Sequence, residues 1–333
     1  VSVKFGEVQK SSGLDVAAKA MIVPLGGSKI IKVFGASGLS LFDDRGILEI
    51  KKLDSNEAIM DKLVGLALAS GGSPTADSFA VQLNMAVDIG LQLVGQPQFF
   101  KITGKALGGK KGTTVRVAKT QKSKAEESLQ VVVLKPRRLS LSIRPVQVSN
   151  NKGGWVYHCE RNYDAKALLA RTNGVWTPQA NIVFTLASSD PAPLDDQEAI
   201  AKALGSSSPK PVVPPIIEFD DFKEMFQKIR EKEKSKADFT IFMVHRITHG
   251  GEGNPAYGVT NQKGAFALVS DDGRAEDMET ISHEIGHYLG TLAKGSLYGD
   301  NNSSEELLMC SGEANGTKIP FQDVISYFNT NYN

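Results

Sequence analysis

The sequence predicts a two-part chain: a β-sandwich carrying a helical insertion over residues 1–136, then an α+β domain over 137–333. Three observations lead there. The chain has 333 residues, and a single domain usually holds about 100–200. Up to Leu134, short β-branched and aliphatic runs recur between Gly-rich turns. From Leu139 onward, apolar strand patterns alternate with helical ones, as a sheet covered by helices requires.

In the first part, strands are predicted at Lys19–Val23, Ile30–Val33, Leu39–Leu41, Gln98–Ile102, Thr113–Ala118 and Leu129–Leu134, the spacing of a sandwich. Ser55–Ser70 and Asp77–Leu93 have helical periodicity instead, with Ile59, Leu63, Leu66 and Leu68 apolar in the first. Gly71, Gly72 and Pro74 form the turn between them, giving a helical insertion at about 55–95. Lys135-Pro136-Arg137-Arg138 is a basic, proline-marked joint and is read as a solvated linker.

In the second part, Leu139–Val148 alternates as a strand, and Tyr163–Asn173 is a helix for which Gly174 supplies the end. Asn181–Leu186 is a strand. Residues 187–217, rich in Ser, Pro and Asp, form a long excursion with one short helix at Gln197–Leu204. Phe219–Lys234 is amphipathic, with Phe219, Phe222, Phe226 and Ile229 on one face. Asp238–Val244 and Ala265–Ser270 are strands. A helix follows from about Ala275 to Leu289, with Gly290 in the place of a C-cap.

Composition excludes several classes. A formal net charge of +1 gives no field to attract nucleic acid or an anionic membrane. No apolar run approaches the roughly eighteen residues of a membrane span. The chain opens on VSVKFGEVQK, without Met or an apolar signal core, and is read as an excised or processed segment. Two cysteines, Cys159 and Cys310, are too few for a disulfide framework and are read as buried thiols, with one bridge as the alternative.

The chemistry is concentrated in Ile281-Ser-His-Glu-Ile-Gly-His-Tyr-Leu-Gly290, which holds two of only five histidines. His283 and His287 are four residues apart and share a helix face. Their nitrogens are therefore placed to reach one zinc ion at about 2.0–2.1 Å. Glu284, beside the first ligand, is positioned to take a proton from the water that zinc activates and to pass it to a leaving amine. Met278, Ile281, Ile285 and Leu289 form an apolar stripe that seats the helix in the core, and Gly286 leaves room for a neighbouring element.

With its flanks, this segment resembles the zincin metallopeptidases, and among them the metzincin-like branch with HExxHxxGxxH and a later Met-turn. His283, Glu284, His287 and Gly290 match, and Leu307-Leu-Met-Cys-Ser-Gly312 is similar to the Met-turn, with Met309 as its methionine. Asn173–Phe184 resembles the helix-to-strand passage of these enzymes, and Gly264–Val269 their edge strand. In the first part, the stretches around Phe100, Val115 and Val131 resemble the last strands of a bacterial immunoglobulin-like domain.

The third-histidine position is Ala293, which binds no metal. The resemblance implies Asp300 as third ligand, because it precedes Met309 by nearly the family distance. Glu305 and Glu306 are the alternatives, and His245 and His249 rank behind them. Tyr298 or Tyr288 is a candidate donor to an oxyanion. His245 is read as a strand-end residue, His249 as a loop residue near the cleft, and His158 with Cys159 as ordinary strand contents.

The expected function is zinc-dependent hydrolysis of a peptide bond, with Glu284 as general base and acid and with Ala265–Ser270 aligning an extended substrate by β-addition. The alternatives are a degenerate zincin acting as a binding module, and a zinc amidase or peptidase acting on peptidoglycan peptides. The resemblance implies a secreted or delivered bacterial protein, for which an inhibitor or immunity protein is a further partner.

Overall fold

Alternation and burial of short apolar runs build the first part of the molecule. The structure is a computed structural model that describes residues 3–6, 14–15, 18–35, 38–54, 97–149, 154–159, 164–208, 212–233, 237–250, 254–271, 279–294, 307–310 and 316–328. The helical insertion expected at 55–95 lies outside them. The strands of this part are β1 (Lys4–Gly6), β2 (Leu14–Asp15), β3 (Ala20–Pro24), β4 (Ser28–Phe34), β5 (Ser40–Asp43), β6 (Leu48–Leu53), β7 (Gln98–Gly104), β8 (Thr113–Ala118) and β9 (Glu127–Leu134). They form a four-stranded sheet in the order β1-β4-β7-β6 and a five-stranded sheet in the order β2-β3-β9-β8-β5. Ile31, Val33, Phe100 and Ile102 of the first sheet share one core with Met21, Val23, Val115, Val117 and Val131 of the second.

At β3 and β9 the five-stranded sheet is buried on both faces. Alternate residues of β3 and β9 point opposite ways: Met21, Val23, Val131 and Val133 face the four-stranded sheet. Ala20, Ile22, Val132 and Leu134 join the core of the second part. Two buried faces explain why Ala-Met-Ile-Val and Val-Val-Val-Leu read as unbroken apolar runs, and why β3 and β9 pair in parallel. The 135–138 joint is a tight one. Arg137 and Arg138 already belong to the next strand, Arg137 N donates to Asn181 O at 3.0 Å, and Asn181 Nδ2 donates to Leu134 O at 2.8 Å.

The second part is mixed α/β. Its sheet is laid around β10 (Arg137–Ser149), which pairs in parallel with β12 (Ile182–Ser188) and β13 (Ala192–Leu194) on one side. On the other side β10 pairs in parallel with β15 (Phe239–Val244) and antiparallel with β11 (Trp155–Tyr157). The order runs on from β15 to β19 (Phe266–Ser270) in parallel, then to β18 (Gly258–Asn261) antiparallel. A three-stranded sheet of β14 (Ile216–Glu218), β16 (Arg246–His249) and β17 (Asn254–Ala256) lies beside it. Helices α1 (Ala165–Ala180) and α4 (Thr280–Lys294) share one core with the sheet. Helix α3 (Phe219–Glu231), preceded by α2 (Gln197–Ala203), packs Phe219, Phe222, Met225 and Phe226 into a separate core. Among the described residues no helix is long and apolar enough to cross a membrane.

Two predicted helix ends are wrong, because one Gly does not by itself stop a helix. Helix α1 runs through Gly174 and carries Pro178 in its last turn, ending on Asn181 in the left-handed conformation with φ 55°. Helix α4 continues past Gly290 to Lys294. A helical Gly costs only about 1 kcal/mol relative to Ala. In α1, burying Trp176, which lies beyond Gly174 and is 0 % exposed, is worth more, at about 1.5–3 kcal/mol for a large apolar side chain. Asp164 caps α1, its Oδ1 accepting from Lys166 N at 2.9 Å and Ala167 N at 3.2 Å.

Candidate metal centre

Helix α4 is fixed before its polar residues are placed. Ile281, Ile285 and Leu289 are buried in the core, and Trp176 Nε1 of α1 donates to Ser282 O at 3.3 Å. Met278, the expected start of the apolar stripe, lies outside the described residues.

With the helix seated, His283, Glu284 and His287 bring their donor atoms within 4.8 Å of one another. The two Nε2 atoms are 3.0 Å apart, and the rings stand at 83° with centroids 4.7 Å apart. His283 Nδ1 donates to Leu308 O at 2.7 Å. A carbonyl can only accept, so this contact puts the proton on Nδ1 and leaves the Nε2 lone pair directed at His287. Two convergent imidazole nitrogens and a tautomer fixed from behind are the donor set zinc prefers.

Leu308 belongs to the expected Met-turn. Cys310 N donates to Leu307 O at 3.2 Å, and Leu308 N donates to Lys318 O at 2.9 Å. Met309 is buried beneath the helix, and a Cβ on Gly286 would lie 2.2 Å from its sulfur. Gln179, buried in α1, holds the far side of the turn: its Nε2 donates to Thr317 O at 2.7 Å and its Oε1 accepts from Ile319 N at 2.8 Å.

Glu284 is 4 % exposed. Its Oε2 accepts from Thr260 Oγ1 of β18, and a Cβ on Gly258 would fall 2.3 Å from Oε1. The expected substrate-aligning strand needs a correction here. Ala265–Ser270 corresponds to β19, which is flanked by β15 and β18 and buried throughout. The outer strand on this side is β18, which is not among the predicted strands, because four residues with one Gly give little periodic signal.

The remaining candidates fall elsewhere. Asp300, Glu305, Glu306 and Tyr298 lie outside the described residues, as does the side chain of Ala293. Tyr288 turns away from the histidines and stacks on Phe239 at 4.6 Å. It faces a cavity of about 480 Å³ shared with Arg230 and Asp238, so it is a packing residue. Burial raises its pKa, Asp238 adds to the rise, and Arg230 and Arg137 oppose it.

His245 directly follows β15, with Nδ1 2.9 Å from Asp271 Oδ1. His249 sits with Glu218 and Asp220 in a separate surface group. His158 Nε2 meets Pro214 O at 2.8 Å, and its Nδ1 accepts from His245 N at 3.2 Å, so neither nitrogen is available to a metal. Cys159 and Cys310 are not joined in a disulfide, which removes the bridge alternative.

No family model matches the chain, and no curated protein matches it. Among solved structures, the archaemetzincin of Methanopyrus kandleri is similar over 57% of this chain and 87% of that one, with 13% identity and a TM-score of 0.32.

Proposed function

We propose that this chain is a zinc-dependent metallopeptidase of metzincin-like build. The observation that carries the reading is the meeting of the His283 and His287 Nε2 atoms at 3.0 Å beside the Glu284 carboxylate. His283 and His287 would hold the ion, with Asp300 as the proposed third ligand and Glu305 or Glu306 as the alternatives. When bound there, zinc would supply Lewis-acid polarisation of the scissile carbonyl and a lowered pKa for a water. Glu284, shielded from bulk solvent, takes the proton from the attacking water and returns it to the leaving amine. Met309 supports the helix from below.

The substrate lies along β18. Ser270 N donates to Tyr257 O at 2.8 Å, and the register sets Val259 opposite Leu268. In an antiparallel ladder, bonded and outward-facing residues alternate. Val259 and Asn261 therefore turn their backbone groups toward β19, while Gly258 and Thr260 turn theirs outward to an extended peptide. The two sheets of the first part form, on this reading, an immunoglobulin-like domain over 1–136 that positions the peptidase domain over 137–333, in a secreted or delivered protein.

The test pairs metal content with proteolysis. The parent chain should hold stoichiometric zinc and digest a general protein substrate. Glu284→Gln should keep the zinc and lose the hydrolysis, while His283→Ala and His287→Ala should lose both. Stoichiometric zinc with no cleavage of any peptide or peptidoglycan substrate would instead favour a binding module, the reading that Ala293 in the third-histidine position supports.

A further inference from the structure

Among the described residues, the side-chain hydrogen bond to the Glu284 carboxylate from the sheet comes from Thr260, on the strand proposed to receive the substrate. Gly258 and Thr260 are two residues apart on β18 and face the same way, toward α4. Val259 between them packs on the opposite side, against the core that holds α3. The strand therefore offers the carboxylate two things at once. Thr260 Oγ1 donates to Oε2, and the bare Cα of Gly258 leaves the space that Oε1 fills, since a Cβ would come within 2.3 Å of that oxygen and 2.8 Å of Cδ. The Thr260 hydroxyl has one hydrogen. The carboxylate oxygen is the better acceptor, because it carries charge, and Glu284 O at 3.2 Å is the second choice.

We propose that Thr260 is the positioning residue for Glu284, its hydroxyl fixing the rotamer of the base while its backbone pairs with the substrate. This rests on the peptidase reading above. A glutamate carries three side-chain torsions, and burial alone does not select among them. The hydroxyl selects one, and the gap at Gly258 makes that one fit. Because one residue performs both contacts, a peptide that draws β18 into register also sets the distance between the base and the bond to be cut.

The test uses the full chain loaded with zinc and a fluorogenic peptide. Thr260→Val keeps the branched shape and removes the hydroxyl, and Thr260→Ser restores the hydroxyl without the methyl. The expected result is a loss in kcat of about 10–100-fold for the Val variant, the scale of a misplaced catalytic group, with KM little changed and most of the rate recovered in Ser. A Val variant as fast as the parent overturns the proposal, as do Val and Ser variants that are equally slow. Crystal structures of the metal-free parent and Val variant give a readout independent of turnover: the Glu284 carboxylate should lie against residue 260 in the parent and swing away in Val, and an unmoved carboxylate overturns the proposal. If the parent cleaves nothing, the peptidase reading fails, while the crystallographic comparison still decides whether Thr260 holds the carboxylate.

Discussion

Gly286 and Met309 occupy one another's space: the methionine sulfur fills the position where a side chain at 286 would begin, 2.2 Å from the ideal Cβ. The contact joins the helix carrying both histidines to the turn whose Leu308 carbonyl orients His283. Gly286→Ala should therefore destabilise the fold by about 1–3 kcal/mol, the usual cost of overpacking. Urea unfolding measures it. In a Met309→Ala background the same substitution should cost less or turn favourable, because Ala is the better helix former by about 1 kcal/mol.

Metal should stabilise the native chain alone. With zinc at a hundredfold excess over its Kd, stability should rise by about 2.7 kcal/mol, seen as a higher Tm that a chelator reverses. The rise should vanish in a His283→Ala, His287→Ala double variant.

Stability should fall on the acid side of neutrality, with His158 as a contributor. Burial lowers its pKa from 6.5, the Pro214 carbonyl opposes the shift, and nearby His245 adds to it. The folded state then binds this proton less readily than the unfolded state. The contribution is complete above the ordinary value and is lost as pH drops through and below it. Urea midpoints between pH 7.5 and 5.5 should decline more steeply for the parent than for His158→Gln.

Neither thiol should react readily in the native protein. Burial pushes Cys159 up to about 11, with the Asp271 carboxylate adding to the rise, and Cys310 is also buried. An alkylating reagent at pH 8 should label both only after denaturation, since the thiolate is the reactive form.

Much of the centre was legible in the sequence because its spacing is local. The i, i+4 histidines, the adjacent Glu284 and the clearance at Gly286 follow from helix geometry, whereas Met309 was implied by the resemblance to a Met-turn. The partners that orient these groups were not legible. The Leu308 carbonyl carries no side-chain signature, Gln179 looks like any helix polar residue, and Thr260 lies on a strand too short to declare itself. The ends of α1 and α4 differ from the sequence expectation because Gly174 and Gly290 carry only a weak local stop signal, which the burial of Trp176 overrides in α1. In the first part, β3 and β9 stood out as apolar runs, whereas Leu48–Leu53, with Lys51 and Lys52 exposed, did not read as a strand.

The second face of the five-stranded sheet ties the two parts together. Ala20, Ile22, Val132 and Leu134 lie in the same core as Trp176, Ile285 and Met309. A fragment cut to begin at Arg137 would bare a greasy flank directly behind the histidine helix. It should precipitate or bind hydrophobic dyes where the full chain stays dispersed. Damage planted deep in the N-terminal strands would then surface as failed metal uptake, far along the chain from the lesion.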